Sequence, residues 1–359
     1  MTAEPDPDAD TGDESGSSDS SDRHNVPIEG IQTYLSCPRQ YEYEHVYRLT
    51  ADDENPETDR LHLLRRAICA ALRAGDVETL EERALEEFET QWDDYAEEVH
   101  SPTQRRHERR VLEATIRAYA DAVGCDHAKG LYATRATGIT GELVGPDLPV
   151  TATVSAPRAG GENVVDLDID ATIDYAFLEG SSFVGVRFVA TPDHLGLARY
   201  RDSWEGDIED AFADHVDPES DRFEPRLVST LFETATVLEG LRTLRDRLGL
   251  EDARTCRYVQ IPLLDRGGLS VNWHRDRVET TLEAIDLTDR YLDHDTFGMT
   301  LEHRNRTVDG RLKRVAAAAA TGPYETTERW EQIERHACPT CPYTVCCPEY
   351  LSSEVSFDG

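Results

Sequence analysis

Lysine is almost missing from this chain: only Lys129 and Lys313 occur, and every other basic residue is an arginine. Long apolar runs are missing as well. No stretch approaches the roughly 20 residues that a membrane helix needs, which excludes a bilayer-spanning helix and predicts no membrane partner. No charged-then-apolar leader opens the chain, so the expected location is cytoplasmic. No internal repeat is visible. What is present in excess is acid: 72 Asp+Glu stand against 37 Lys+Arg, a formal net charge of −35. The 359 residues suffice for one large domain or two ordinary ones. At 38% hydrophobic, most of the chain is expected to fold.

Excess carboxylates hydrate a surface but destabilise the fold by self-repulsion when salt is low. Screening shortens to about 3 Å at molar salt, where that repulsion nearly vanishes. A surface this acidic and this poor in lysine resembles that of a halophilic archaeal protein. The charge then reports on the solvent; an acidic protein with basic partners is the other reading.

Residues 1–25 are Asp, Ser, Gly and Pro with almost nothing apolar, and are expected to form a disordered acidic tail. From Pro27 the chain turns amphipathic and aromatic. Helices are predicted over 61–74 and 77–98, with a third starting at the N-cap pair Ser101-Pro102. Residues 131–155 predict strands. Residues 164–177 alternate and 183–190 form a short apolar run, which together predict a hairpin turning at 178–182. A helix over 226–248 follows, then a second hairpin, 257–264 with 269–274, and a helix over 276–292. The expected fold class is α/β: a mixed sheet flanked by helices, with a helical insertion at about 58–125.

Eight cysteines occur, and four lie within ten residues: 338, 341, 346 and 347. Structural disulfides are not expected inside a cell. Cys338 and Cys341 form C-x2-C, a spacing that lets two thiolates grip one metal or cluster, and Cys347 adds C-x5-C. Cys346 is adjacent and cannot easily point the same way as Cys347. Four-thiolate sites hold zinc or iron–sulfur clusters, so one more ligand is needed. Cys37 is the best candidate, because Cys37-Pro38 repeats the Cys-Pro pairs at 338–339 and 347–348. Such a centre would join both ends of the chain, and its loss should destabilise the whole fold. Cys69, Cys125 and Cys256 read as small buried hydrophobes.

Leu35-Ser36-Cys37-Pro38-Arg39-Gln40-Tyr41, taken with C-x2-C-x5-C-P at 338–348, resembles the iron–sulfur branch of the PD-(D/E)XK nuclease superfamily. That branch includes RecB-like and AddB-type nuclease domains and CRISPR-associated exonucleases. The resemblance implies a restriction-endonuclease-like domain over 26–350, with its cluster-binding segment at about 336–350 and a short tail at 351–359. It implies a [4Fe–4S] cluster on Cys37, Cys338, Cys341 and Cys347. It also implies a catalytic centre in which a helix histidine, a strand aspartate and a D/E-x-K motif hold Mg²⁺ or Mn²⁺ and activate water.

Thr58-Asp59-Arg60-Leu61-His62 carries the family's G-x3-H spacing with Thr for Gly, so His62 is the matching histidine; the alternative is a surface histidine on a solvated helix. Asp174 matches the strand aspartate and is the candidate metal ligand with Asp170. Asp166 and Asp168 share their parity and read as a solvated face; Glu142 is a weaker candidate. The next strand holds no carboxylate and no lysine from Phe183 to Thr191, so D/E-x-K is absent where it is expected. Arg187 does not replace it readily, because arginine stays protonated, and Asp193 follows too late.

Arg105, Arg106, Arg109 and Arg110 fall within an arc of about 140° on one helix and are candidate nucleic-acid contacts. A second basic stretch holds His303, Arg304, Arg306, Arg311, Lys313 and Arg314. For both, the alternative is ion pairing with nearby acids. Tyr41, Tyr43 and Tyr47 read as stacking platforms or as core around the cluster. The expected function is a [4Fe–4S] protein acting on DNA in repair or processing, catalytically impaired, serving as a DNA-binding or complex subunit with a helicase or repair-complex partner. The alternatives are an active divalent-metal-dependent DNA exonuclease and a zinc-bound structural protein with no DNA role.

Overall fold

The computed structural model describes residues 23–49, 56–95, 101–158, 163–191, 212–215, 217, 220, 222–250, 252–272, 275, 277–293 and 304–354. Asp193, His303 and most of the acidic N-terminal segment lie outside these.

The folded chain begins earlier than composition suggests. His24–Pro27 is a strand (β1), and Arg23 beside it pairs with Asp168. Two helices follow, α1 (Ile28–Ser36) and α2 (Pro38–Tyr41), then a π-helical turn, Glu42–Val46. Three longer helices come next: α3 (Pro56–Ala74), α4 (Leu80–Tyr95) and α5 (Pro102–Tyr119). Ser101 caps α5 by accepting from the Gln104 N–H, with Pro102 in the first turn, as its sequence predicts. The helical region then runs on through α6 (Cys125–Ala136), where strand was expected from 131. Tertiary packing decides this: Gly130 lies so close to Phe177 that an added Cβ would sit 2.3 Å from the ring.

Strands β2 (Val144–Pro157), β3 (Val164–Glu179) and β4 (Ser182–Val189) form an antiparallel meander. The β3–β4 hairpin turns at Gly180, whose φ of +58° suits glycine. Along β3, Leu167, Ile169, Ala171 and Ile173 are buried. Asp166, Asp168 and Asp170 alternate with them and accept hydroxyls from Ser155, Thr153 and Thr151 directly across on β2, at 2.6–2.7 Å. A long helix, α7 (Pro225–Arg247), leads to β5 (Thr255–Pro262), which lies parallel to β4. Helix α7 sits close on the sheet because Gly240 meets Val150 and Thr151, and Leu241 meets Gly185.

The expected hairpin of 257–264 with 269–274 does not form. Both edges of β5 are taken, one by β4 and the other by β8 (Ile285–Asp286). Segment β6 (Ser270–Asn272) therefore pairs with β7 (Arg277–Glu279). The helix expected over 276–292 shrinks to α8 (Leu287–Asp293), because the residues before it serve as strands. Three helices close the chain: α9 (Arg306–Thr321), α10 (Trp330–His336) and α11 (Pro348–Glu354), the last occupying part of the expected short tail. The result is an α/β protein with a mixed sheet ordered β1-β3-β4-β5-β8, β2 covering the other edge of β3, and helices packed against it. No helix among the described residues is long and apolar enough to cross a membrane.

Candidate metal centre and the strand notch

Each cysteine of the expected ligand set precedes a proline, or a turn, that starts helical structure. Proline has no N–H to lose at the first helical position, so the residue before it stays extended while the following amides remain open. Cys37 is extended (φ −160°) between α1 and α2, and its Sγ accepts the Gln40 N–H at 3.4 Å. Cys338-Pro339 opens the tight turn Cys338–Thr340, closed by the Cys341 N–H to the Cys338 carbonyl at 3.1 Å. Cys347 immediately precedes α11 and its Pro348.

These four cysteines line one small cavity, together with Tyr43, Trp330 and Tyr350. Cys37, Cys338 and Cys347 are buried and Cys341 is half-buried. Cys346 is exposed and turns its Sγ to the Tyr343 carbonyl, away from the set. Chain ends about 300 residues apart are clasped around the cavity. Arg39 pairs with Glu349 at 2.6 Å and with Glu42, Tyr343 donates to the Leu49 carbonyl at 2.9 Å, and the Tyr43 and Tyr343 rings stand 5.4 Å apart. Tyr41 is buried and stacks on His45, whereas Tyr47 is exposed.

Burial pushes the Cys37 thiol up to about 11 and the Cys338 thiol up to about 12, and the neighbouring cysteines add to both shifts. Four thiolates in this space repel one another, so a cation is what would hold them deprotonated. The free space among them is about 10 Å³. Among the described residues no three His, Cys, Asp or Glu side chains are arranged to hold a single metal ion. What speaks for an iron–sulfur cluster is the chemistry of the donor set alone: four cysteines lining one cavity, with the Gln40 N–H donating to the Cys37 sulfur. Of the other cysteines, Cys69 and Cys256 are buried as expected, but Cys125, at the start of α6, is exposed.

The second site is a notch in the sheet. β1 and β4 share one edge of β3, β1 along Leu167–Asp170 and β4 from Tyr175 onward, since β2 fills the opposite edge. Asp174 sits between them. Where the β3–β4 ladder stops, its Oδ2 accepts the Phe188 N–H at 2.6 Å. Its Oδ1 accepts from Arg65 of α3 at 2.8 Å, and the same guanidinium reaches Asp147 at 2.6 Å. A bulge in β2 between Val144 and Leu148 turns Asp147, with φ +62°, toward α3. Burial pushes the fully buried Asp174 carboxyl up, against the pull of Arg65 and the Phe188 amide. Burial also works against the Arg65 cation, but Asp174 and Asp147 outweigh it and hold it above its ordinary range.

The expected catalytic set does not assemble around this aspartate. His62 is exposed on α3, and Arg65, three residues on, takes the inward position. Asp170 lies four residues from Asp174, about 13 Å along an extended strand, with its carboxylate bonded to Thr151. Glu142 is exposed. On β4, where the resemblance led to the expectation of D/E-x-K, Arg187 reaches Glu233 of α7 at 2.9 Å and Glu29 of α1 at 3.0 Å. Glu233 above all holds Arg187 well above its ordinary range. Tyr258 also donates to Glu233, and Gln260 Nε2 does so at 3.1 Å. Sequence reasoning missed Arg65 and Glu233. The available signal was a lone charge inside an apolar helical stripe, Leu63-Leu64-Arg65 and Leu231-Phe232-Glu233. Among the described residues of the notch, the inward carboxylates Asp174 and Glu233 are each matched by a guanidinium.

The arginine face of α5 is likewise spoken for. Arg105 pairs with Asp93 at 3.2 Å, and Arg109 pairs with Glu89 and Glu113 at 2.9 and 2.8 Å. Arg110 has partners too, and Arg106 alone stands exposed without a described one. The groove between α4 and α5 is lined by Glu78, Glu81, Glu82, Glu86, Glu89 and Glu113. Arg109 and Arg117 line the same groove, so this face carries the ion pairs of the alternative reading.

Neither protein-family models nor curated proteins offer a match for this chain.

Proposed function

We propose that this chain is a DNA-associated protein of restriction-endonuclease-like fold, related to the iron–sulfur branch of the PD-(D/E)XK superfamily, in which a [4Fe–4S] cluster clasps the chain ends and the catalytic centre is lost. The observation that carries the reading is the meeting of Cys37 with Cys338, Cys341 and Cys347 in one cavity across about 300 residues. The loss of catalysis is supported by the closed pairs Asp174–Arg65 and Arg187–Glu233, whose strand members Asp174 and Arg187 stand where a nuclease of this build carries a metal carboxylate and its D/E-x-K strand. The protein then acts as a DNA-binding or assembly subunit of a repair or processing complex. The cluster supplies a covalent-strength cross-link between the chain ends. Cys37, Cys338, Cys341 and Cys347 bind it, and Arg39 with Glu349 holds the two segments in register.

The test is anaerobic purification followed by iron and sulfide analysis and a DNA cleavage assay in molar KCl with Mg²⁺ or Mn²⁺. The expected result is about four irons and four sulfides per chain, absorbance near 400 nm, and no cleavage. Cys347→Ser should lose iron and colour, and Cys346→Ser should keep both. A colourless, zinc-loaded protein would overturn the cluster. Metal-dependent cleavage abolished by Asp174→Asn would overturn the loss of catalysis.

A further inference from the structure

In a chain with about two acids for every base, an arginine or lysine without a carboxylate partner needs a reason. On α5 the basic residues are largely paired. On α9 they are not. Arg306, Arg311, Lys313 and Arg314 lie on this one helix, and none of them makes an ion pair with a described residue. By contrast Lys129, the only other lysine, pairs with Asp126 at 2.8 Å.

At 100° per residue, Arg306, Lys313 and Arg314 fall within an arc of about 100°, and Arg311 widens it to about 160°. Arg306 and Arg314 are separated by about 12 Å along the axis. Gly310 lies on the same exposed face, and nothing stands within 4 Å of where its Cβ would be. The one acid of the helix, Asp309, is turned away and accepts the Tyr291 hydroxyl at 2.8 Å. Arg304, just before the helix, is matched by Glu239 at 2.6 Å, so acids are available nearby, but among the described residues none pairs with this face. Arg311 stacks over the Phe212 ring at 4.6 Å and donates to the Phe212 carbonyl. Burial and the adjacent Arg314 hold it below its ordinary range.

The helix is rigidly presented. Asn305 caps it by accepting from the Thr307 and Val308 amides. Its buried side, Val308, Leu312 and Ala316, packs on the α1–α7 layer and on β1, β2 and β3. At its far end Tyr324 packs on Tyr34 and Tyr41, next to the cysteine clasp.

We propose that the exposed face of α9, carrying Arg306, Lys313 and Arg314 with Arg311 at its margin, grips the phosphate backbone of DNA. The proposal rests on the reading of the protein as DNA-associated and moves the contact from α5 to α9. Cations along one side of a rigid helix, with Arg306 and Arg314 exposed and Lys313 half-buried, suit contact with phosphates irrespective of sequence.

The experiment measures binding of a fluorescent duplex oligonucleotide by the full-length holoprotein across a series of KCl concentrations. It compares the wild type with Arg306→Gln/Lys313→Gln/Arg314→Gln. A charge-matched control, Arg83→Gln/Arg117→Gln/Lys129→Gln, isolates location from net charge, and circular dichroism confirms that both variants fold. The α9 variant should bind at least tenfold more weakly at the lowest salt, and its slope of log K against log salt should be shallower by about 2–3, near 0.9 per lost contact. The control should match the wild type. Wild-type binding with an unchanged slope in the α9 variant, or an equal loss in the control, overturns this face and leaves the DNA-associated reading standing. No binding by the wild type at any salt concentration overturns both.

Discussion

Asp174 and Arg65 show how one pair of residues sets what the sheet notch can do. Both are buried, and each has its charge answered: Asp174 by the guanidinium and the Phe188 amide, Arg65 by Asp174 and Asp147. Removing one partner of a buried pair leaves an uncompensated charge, at a cost of about 3–5 kcal/mol. Asp174→Ala should therefore lower unfolding free energy by that amount in urea titrations, and Arg65→Met with Asp174→Leu should recover most of it. If Asp174→Ala unfolds at the wild-type midpoint, the pair is not the closed unit seen here. A second residue-scale dependence lies at His127, buried against Tyr175, whose hydroxyl stands 2.6 Å away and also meets Tyr119. Burial holds the His127 ring down to about 4. A histidine lowered in the fold stabilises fully above its unfolded value near 6.5 and loses that contribution as pH falls toward 4. Between pH 7 and 5 the loss is about 2 kcal/mol. His127→Gln should remove that part of the acid sensitivity, read as the difference in urea midpoint between the two pH values.

At the scale of elements, α9 depends on one capping side chain. Asn305 is fully buried. Its Oδ1 accepts from Thr307 and Val308, and its Nδ2 donates to the Tyr291 carbonyl at 2.8 Å. Capping alone contributes about 1 kcal/mol, and the orphaned Tyr291 carbonyl raises the cost to about 2 kcal/mol or more. Asn305→Ala should show this loss in thermal unfolding, with faster amide exchange confined to the first turn of α9. Element-scale packing also explains where strand pairing departs from the local pattern. The turn signal at Asp265-Arg266-Gly267-Gly268 is real, and Gly267 donates its N–H to Asp265. Yet β5 is already paired on both edges, so the chain beyond the turn finds β7 instead. A hairpin signal reports a turn, not whether the strand before it is still free.

Across the whole molecule the dominant feature is charge. With a net charge of −35, self-repulsion is strong in dilute salt and short-ranged in concentrated salt. The thermal midpoint should rise substantially from about 0.1 M to about 2 M KCl, where the screening length falls from roughly 10 Å to under 3 Å. A flat or falling midpoint would show that the acids are balanced in the fold. The α/β class, the helices over 61–74 and 226–248, the β3–β4 hairpin and the grouping of Cys37 with the late cysteines were all legible from residue patterns, because periodicity, turn residues and Cys-Pro spacing are local signals. That β4 holds neither a carboxylate nor a lysine was equally plain, since no fold can supply a side chain that the strand lacks. Which charges are satisfied was not legible. The arginines of α5 and of α9 look alike in one dimension, and only packing reveals that α4 lays its glutamates along the first set while no described acid pairs with the second. His62 matched a motif by spacing, but the helix rotation that buries Arg65 is set by Leu64, Ile68 and Leu72 seeking the core. Sequence alone determined which groups exist and where local periodicity is strong enough to set an element. Tertiary structure decided which groups meet, because the energy of a charge depends on neighbours brought from far along the chain.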